Sequence, residues 1–490
     1  MKKRNILSRN PMLACLLFVC IVAITACEKF VDVPPPVTST NAENVYVSDG
    51  TAIAVLTSIY SLMSADNSAI GSTTGSGLSG MTLYPGLSGD EFTLSEGAVT
   101  NTHNAYLYYK NKLASDLTGT KDFWVNAYAI IYYTNAAIEG LTDATKLTPA
   151  VRRQLLGEAH FLRAFSYFYL VNLYGDVPKV LSTNYSTSFN LPKSPKEEIY
   201  QLIIEDAKEA QTLLADNYLD ATLLKTTIER VRPNKFAASA LLARVYLYHN
   251  EWKNAEDQAT MVIQNSAVYD TVGINNVFLK NSKETIWSLQ PVTAGTLANT
   301  GDGRLFIPTS TVFPTSTNFV SLSPSLLAAF DLTDSRYKNW VKSITSAGIT
   351  YYYPFKYKIG SVNVTAPSEY LMVLRLAEQY LIRAEARAKQ SNFNGALTDL
   401  NVIRKRASLA ESTATGEPAI LTAIYQERQI EFFAEWGHRW LDLKRIGLID
   451  MVMPSVALQK GTTWDPRWAL YPIPSTDVLR DPNLIQNPGY

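Results

Sequence analysis

The chain has 490 residues, 47% of them hydrophobic, a length beyond that at which one core usually stops growing and a composition ordinary for a soluble protein. Lys plus Arg and Asp plus Glu number 44 each, so there is neither a basic field to hold nucleic acid nor an acidic tail. The 28 Tyr and 8 Trp present flat apolar faces with polar rims, which suit interfaces and sugar binding.

The first element is a leader. Lys2, Lys3, Arg4 and Arg9 precede an apolar run from Met12 to Ile24, and Ile24-Thr25-Ala26-Cys27 ends it with small residues before a cysteine. This predicts an export signal over residues 1–26, too short for a convincing membrane span. All three cysteines lie in the first 27 residues, so an exported mature chain keeps one thiol, at Cys27, placed as in a bacterial lipobox. Several acyl chains on Cys27, each contributing about 0.8 kcal/mol per buried methylene, anchor firmly. Residues 27–41, with Pro34-Pro35-Pro36, read as a lipidated, extended tether.

From residue 42 onward helical periodicity dominates. Helices are predicted at Glu43 to Ser64, Lys121 to Leu141, Pro149 to Tyr174 and Lys196 to Leu214. A hairpin follows: Ala237, Leu241, Val245 and Tyr248, a turn at His249-Asn250-Glu251, then Trp252, Ala255, Ala259 and Val262. The design repeats with Leu374, Ala377, Leu381, Ala384 and Ala388, a break at Gln390-Ser391-Asn392, then Phe393, Ala396, Leu400, Ile403 and Ala407. Aligning Trp252 with Phe393 matches Ala243 to Ala384 and Ala255 to Ala396 without a gap, the small-aromatic-small pattern of tetratricopeptide hairpins. Two stretches, about 65–120 and 270–368, break the periodicity with Ser, Thr, Gly, Pro and short β-like runs such as Tyr351 to Ile359. Loops this long are usually functional. The expected fold is mainly α, a tetratricopeptide-like helical scaffold with a large irregular loop layer containing short strands.

The C-terminal third carries Arg375-Leu376-Ala377-Glu378-Gln379-Tyr380-Leu381, then Glu427-Arg428 with Glu431-Phe432, then Arg439-Trp440-Leu441-Asp442-Leu443-Lys444-Arg445. It ends with Tyr471-Pro472-Ile473-Pro474 and Gln486-Asn487-Pro488-Gly489-Tyr490. In this order behind a lipobox, the set resembles the SusD-like (RagB/SusD) family of outer-membrane lipoproteins, over residues 42–490. The resemblance implies a lipid-anchored protein at the cell surface that caps a SusC-like TonB-dependent transporter and captures a glycan or a peptide for import. The alternatives are a glycan-active enzyme and a structural adaptor acting through its repeats.

Catalytic and metal signals are weak. His103, His160, His249 and His438 are scattered without a second ligand at metal spacing, and no phosphate loop or nucleophile elbow appears. No metal or cofactor is expected. Asp90 and Glu91 are the one acidic pair in a loop, but adjacent carboxylates rarely flank one glycosidic bond, and closing a loop suits them better. Arg428, Glu431, Arg439 and Asp442 read as ion pairs stitching the last helices to the loops. Ligand contacts are expected from aromatics and polar partners of the loop layer: Tyr84, Asp90, Asn104, Tyr106, Tyr108, Asp302, Arg304 and Phe313, with Asn101, Asn299, Tyr109, Phe306 and Phe319 beside them. Trp287 reads as core.

Overall fold

The computed structural model describes residues 45–64, 80–116, 121–292 and 298–490. The leader, Cys27 and the tether lie outside the described residues. Helices α1 (Asp49–Ser64), α2 (Lys121–Thr142), α3 (Pro149–Tyr174), α4 (Lys196–Leu213), α5 (Lys235–Tyr248) and α6 (Trp252–Gln264) lead into α7 (Leu376–Lys389), α8 (Phe393–Arg406) and α9 (Glu417–Glu431). From α2 to α9 each helix packs against the next in this order, so every hairpin buries its apolar face on its neighbours, as tetratricopeptide stacks do. Helix α3 begins with Pro149 in its first turn, where the missing N–H costs nothing, and stops at Gly175, φ +76°. Trp287, fully buried against Phe161 and Phe165, belongs to the central core.

The two aligned hairpins turn in the same way. Asn250 and Ser391, equivalent in the alignment, both take left-handed backbone with φ +62°. Glu251 N donates to Tyr246 O at 2.9 Å, and Asn392 N donates to Arg387 O at 2.8 Å. Ala243, Ala255, Ala384 and Ala396 are all fully buried, and α6 lies against α7. Small side chains at these positions let the helix axes approach, and the repeat read from the sequence is a repeat in space.

One boundary differs. The periodicity predicts helix from Leu374, whereas Leu371–Arg375 is a strand, β6, antiparallel to β2 (Thr285–Leu289). Every residue of both strands is buried. A continuous apolar run covered on both faces carries no period-2 signal, so it reads like the first turn of a helix. The other ladders join distant loops. Strand β1 (Phe92–Leu94) pairs with β3 (Val320–Leu322), and β4 (Val341–Ser346) forms a hairpin with β5 (Ile349–Pro354). The two irregular stretches of the sequence therefore interlock in one layer.

Charge networks fasten that layer to α9 and α10 (His438–Arg445), the helices ahead of α11 (Ile449–Gln459). Glu431 of α9 meets Arg375 at the end of β6, Arg406 at the end of α8 and Arg336 from the layer. Arg375 also reaches Glu284 and Glu435, Lys356 pairs with Glu435, and Arg336 takes Asp334 and Glu427. All of these side chains are at most 6% exposed. Arginines hold Glu431 well below the usual carboxylate range despite its burial. A second group links Arg428 to Asp442 and Arg445 to both Asp442 and Glu385.

Candidate ligand-binding surface

The loop layer stands on a short helix, Leu83–Ser88, docked against α10. Gly437 before α10 allows this contact: it has φ +68°, and a Cβ there would come within 2.8 Å of Pro85. Asp90, beyond the short helix, receives a bidentate pair from Arg439 at 2.9 and 2.7 Å. Lys460 donates to the carbonyls of Leu87, Ser88 and Gly89, and Glu91 Oε1 accepts from Ala434 N at 3.2 Å. The acidic pair thus closes a loop onto α10 and the segment before it.

The expected contact residues separate into two groups. Tyr84 stacks on fully buried Tyr108 at 4.5 Å, and Tyr108 meets Phe123 and Tyr471 edge-on. Asp90, Asp302 and Arg304 are also buried; Thr82 Oγ1 donates to Asp302 at 2.9 Å, and Arg304 donates to the Asn299 carbonyl. These five side chains, expected as ligand contacts, are buried in the layer, at most 7% exposed, and Asp90 lines a small pocket with Tyr109 and Lys460. The physical reason is that the two stretches extend the central core: Phe92 meets Phe306 at 5.1 Å, and both, with Tyr84, Tyr108 and Phe319, belong to the apolar cluster of the helices. Tyr109 and Asn299 are buried as well, and Asn101 is exposed. Asn104 and Tyr106 are half-buried on the helix Asn104–Tyr109, with Lys110 Nζ 5.6 Å from the Tyr106 ring centre.

Phe313 marks a different place. It is 4% exposed yet outside both apolar cores, because its cover is Tyr351 at 4.7 Å. Alternation in β5 puts Tyr351, Tyr353 and the following Phe355 on one face and Tyr352 on the other. Tyr352 packs on the core; Tyr351, Tyr353 and Phe355 do not, and remain half-buried. Across the hairpin, Ile344 faces Tyr351 and Lys342 faces Tyr353. Lys342 Nζ sits 4.6 Å and Lys358 Nζ 4.4 Å from the Phe355 ring centre, and burial pushes Lys358 down to about 8. The result is a row of four aromatic rings bordered by ammonium donors, outside the core. Ile349-Thr350-Tyr351-Tyr352-Tyr353-Pro354-Phe355 carried this signal in the sequence as alternation within the β-like run.

Two family models match the chain: the SusD family over residues 333–490, and a family described as starch-binding, associating with the outer membrane, over residues 88–247. The chain belongs to the SusD-like family. SusD-like protein P2 of Formosa agariphila is 28% identical over 421 residues, covering 75% of this chain and 80% of the relative. A SusD superfamily protein from Bacteroides vulgatus superposes with a TM-score of 0.75 at 20% identity, over 91% of this chain and all of the other. A laminarin-binding SusD-like protein superposes with a TM-score of 0.72 at 21% identity, over 90% and 99% of the two chains. The SusD-like fold, helical and tetratricopeptide-like, is the one described above.

The layer beneath this surface holds two carboxyls that resist ionisation. Burial, and then the neighbouring Asp90, push Glu91 from 4.5 up to about 8, and burial pushes Asp302 from 3.8 up to about 7. A folded-state pKa above the unfolded value gives stability that is complete below the unfolded pKa and is lost as pH rises through the folded one. In thermal or urea unfolding, Glu91→Gln should therefore gain on the wild type between pH 5 and 8, by on the order of 1 kcal/mol per pH unit. A constant difference across that range would show that Glu91 ionises freely in the fold.

Proposed function

We propose that this SusD-like protein is a non-catalytic, cell-surface glycan-binding lipoprotein, anchored through Cys27, that hands its cargo to a SusC-like TonB-dependent transporter. The observation that carries the binding reading is the half-buried face of this row, Tyr351, Tyr353 and Phe355, three rings that neither apolar core uses, with buried Phe313 behind Tyr351. Sugars offer apolar C–H faces to such rings while their hydroxyl oxygens accept from donors at the edge, here the exposed Lys342 ammonium. The starch-binding description of one matching family and the laminarin-binding neighbour support a glycan over a peptide. Weighing against catalysis, among the described residues, the loop-layer carboxylate Asp90 is paired with Arg439 and Asp302 accepts from Thr82, a poor match for an opposed acid and base across a glycosidic bond.

Two experiments test the reading. Against a panel of oligosaccharides, Tyr351→Ala and Tyr353→Ala should each weaken calorimetric binding by about 1 to 3 kcal/mol, the scale of an aromatic anchor, with little change in melting temperature. Lower melting with unchanged affinity would make these rings structural, and shortening of the oligosaccharides by mass spectrometry would replace binding with hydrolysis. Cys27→Ala should move the protein from the membrane fraction to the soluble one; retention in the membrane with normal processing would refute the anchor.

A further inference from the structure

A cavity lies at the C-terminal segment, lined by none of the residues of the aromatic row. It is a cleft of about 680 Å³ where the end of α3, the start of α4 and α10 meet the C-terminal segment, a size that fits a sugar unit. Three ammonium groups line it: Lys193, Lys196 and Lys444. Lys444 is half-buried, and among the described residues its one hydrogen bond goes to the Asn172 carbonyl. Lys193 Nζ donates to Asn487 Oδ1 at 3.1 Å. Lys196 Nζ has no hydrogen bond or ion pair among the described residues and lies 5.5 Å from the Tyr200 ring centre.

Counter-charge is short. Asp176 is the one carboxylate in the lining, with Oδ1 taken by the Lys196 backbone N–H at 2.7 Å. Glu197, beside the rim, is bound to His249. Arg445, also in the lining, is neutralised by Glu385 and Asp442. The cations repel: burial, and then Lys196, hold Lys444 down at about 7. Gathering three lysines around a cleft with one acid is unfavourable for the empty fold and favourable for an anion that enters it. Beside the ammonium groups the lining is apolar, with Val171, Leu470 and Ile485.

We propose that this cleft binds an acidic sugar unit, its carboxylate or sulfate held by Lys193, Lys196 and Lys444 and its ring set against the apolar wall. The class of ligand rests on the glycan-binding reading, but the residues are separate from the aromatic row.

The test is calorimetry on the full protein with galacturonate, glucose 6-sulfate, glucose and inorganic sulfate as probes. Galacturonate or glucose 6-sulfate, whichever acid the cleft accepts, should bind, and glucose should not. The double variant Lys193→Ala/Lys196→Ala, at half-buried and exposed positions, should lose at least tenfold in affinity for that probe at an unchanged melting temperature. Lys444→Met should lose it as well. The same double variant should keep the oligosaccharide binding assigned to the hairpin, and Tyr351→Ala/Tyr353→Ala should keep the acidic-sugar binding, so either reading can fail alone. Absence of binding by both acidic sugars, equal binding of glucose, inorganic sulfate binding as tightly as the sugars, or affinity unmoved by the double variant would each overturn the proposal.

Discussion

The carboxylate of Glu431 is the point on which the arrangement turns. It is fully buried and meets guanidinium groups from three separate places: Arg375 where a strand becomes α7, Arg406 at the end of α8, and Arg336 in the loop layer. A lone charge at this depth would be prohibitive, and losing one partner of a buried pair costs about 3 to 5 kcal/mol, because the other is left uncompensated. The group is balanced: Arg336, Lys356, Arg375, Arg404 and Arg406 stand against Glu284, Asp334, Glu427, Glu431 and Glu435. Such a network need not add net stability over an apolar core. Its specific consequence is geometric, since guanidinium forks accept carboxylates in few orientations and so set how the layer sits on the helices.

From that constraint the division of labour follows. The hairpins α5–α6 and α7–α8 spend their small residues on packing one another, and the layer spends Tyr84, Tyr108, Phe92 and Phe306 on the core it shares with the helices. What remains outside both is the face of the β4–β5 hairpin. Trp340, fully buried at the start of β4, ties this hairpin to the network: Lys356 Nζ lies 4.8 Å from its ring centre while pairing with Glu435. The rings proposed to hold a glycan are thus a few residues from the ionic group that fixes the layer.

The sequence was most legible where one periodicity governs. Helix α3 begins and ends where Pro149 and Tyr174-Gly175 say it should, and the 141-residue offset between the hairpins, seen as matching Ala and aromatic positions, returns as matching turns at Asn250 and Ser391. Legibility fell where burial is two-sided: Leu374, in the strand Leu371–Arg375, was read as the start of a helix because a strand buried on both faces does not alternate. The candidate site was half legible. The proposed row lies in the second irregular stretch, but in the sequence an aromatic beside Asn and Asp looks the same whether it faces solvent or plugs a layer. Only the folded chain shows that Tyr108 is fully buried while Tyr351 stays half-buried. The tie between Arg439 and Asp90 spans 349 positions, a separation no local pattern encodes.

The central claim is that the network around Glu431 anchors the loop layer, and with it the aromatic face, to the helical scaffold. Hydrogen exchange by mass spectrometry on an Arg375→Met variant, compared with the wild type under native conditions, tests this most directly. Exchange should quicken in residues 333–357, which hold Arg336, Lys356 and the β4–β5 hairpin, while α2, α3 and α4 keep their protection. Unchanged protection of the hairpin, or an equal loss across the whole chain, would contradict it.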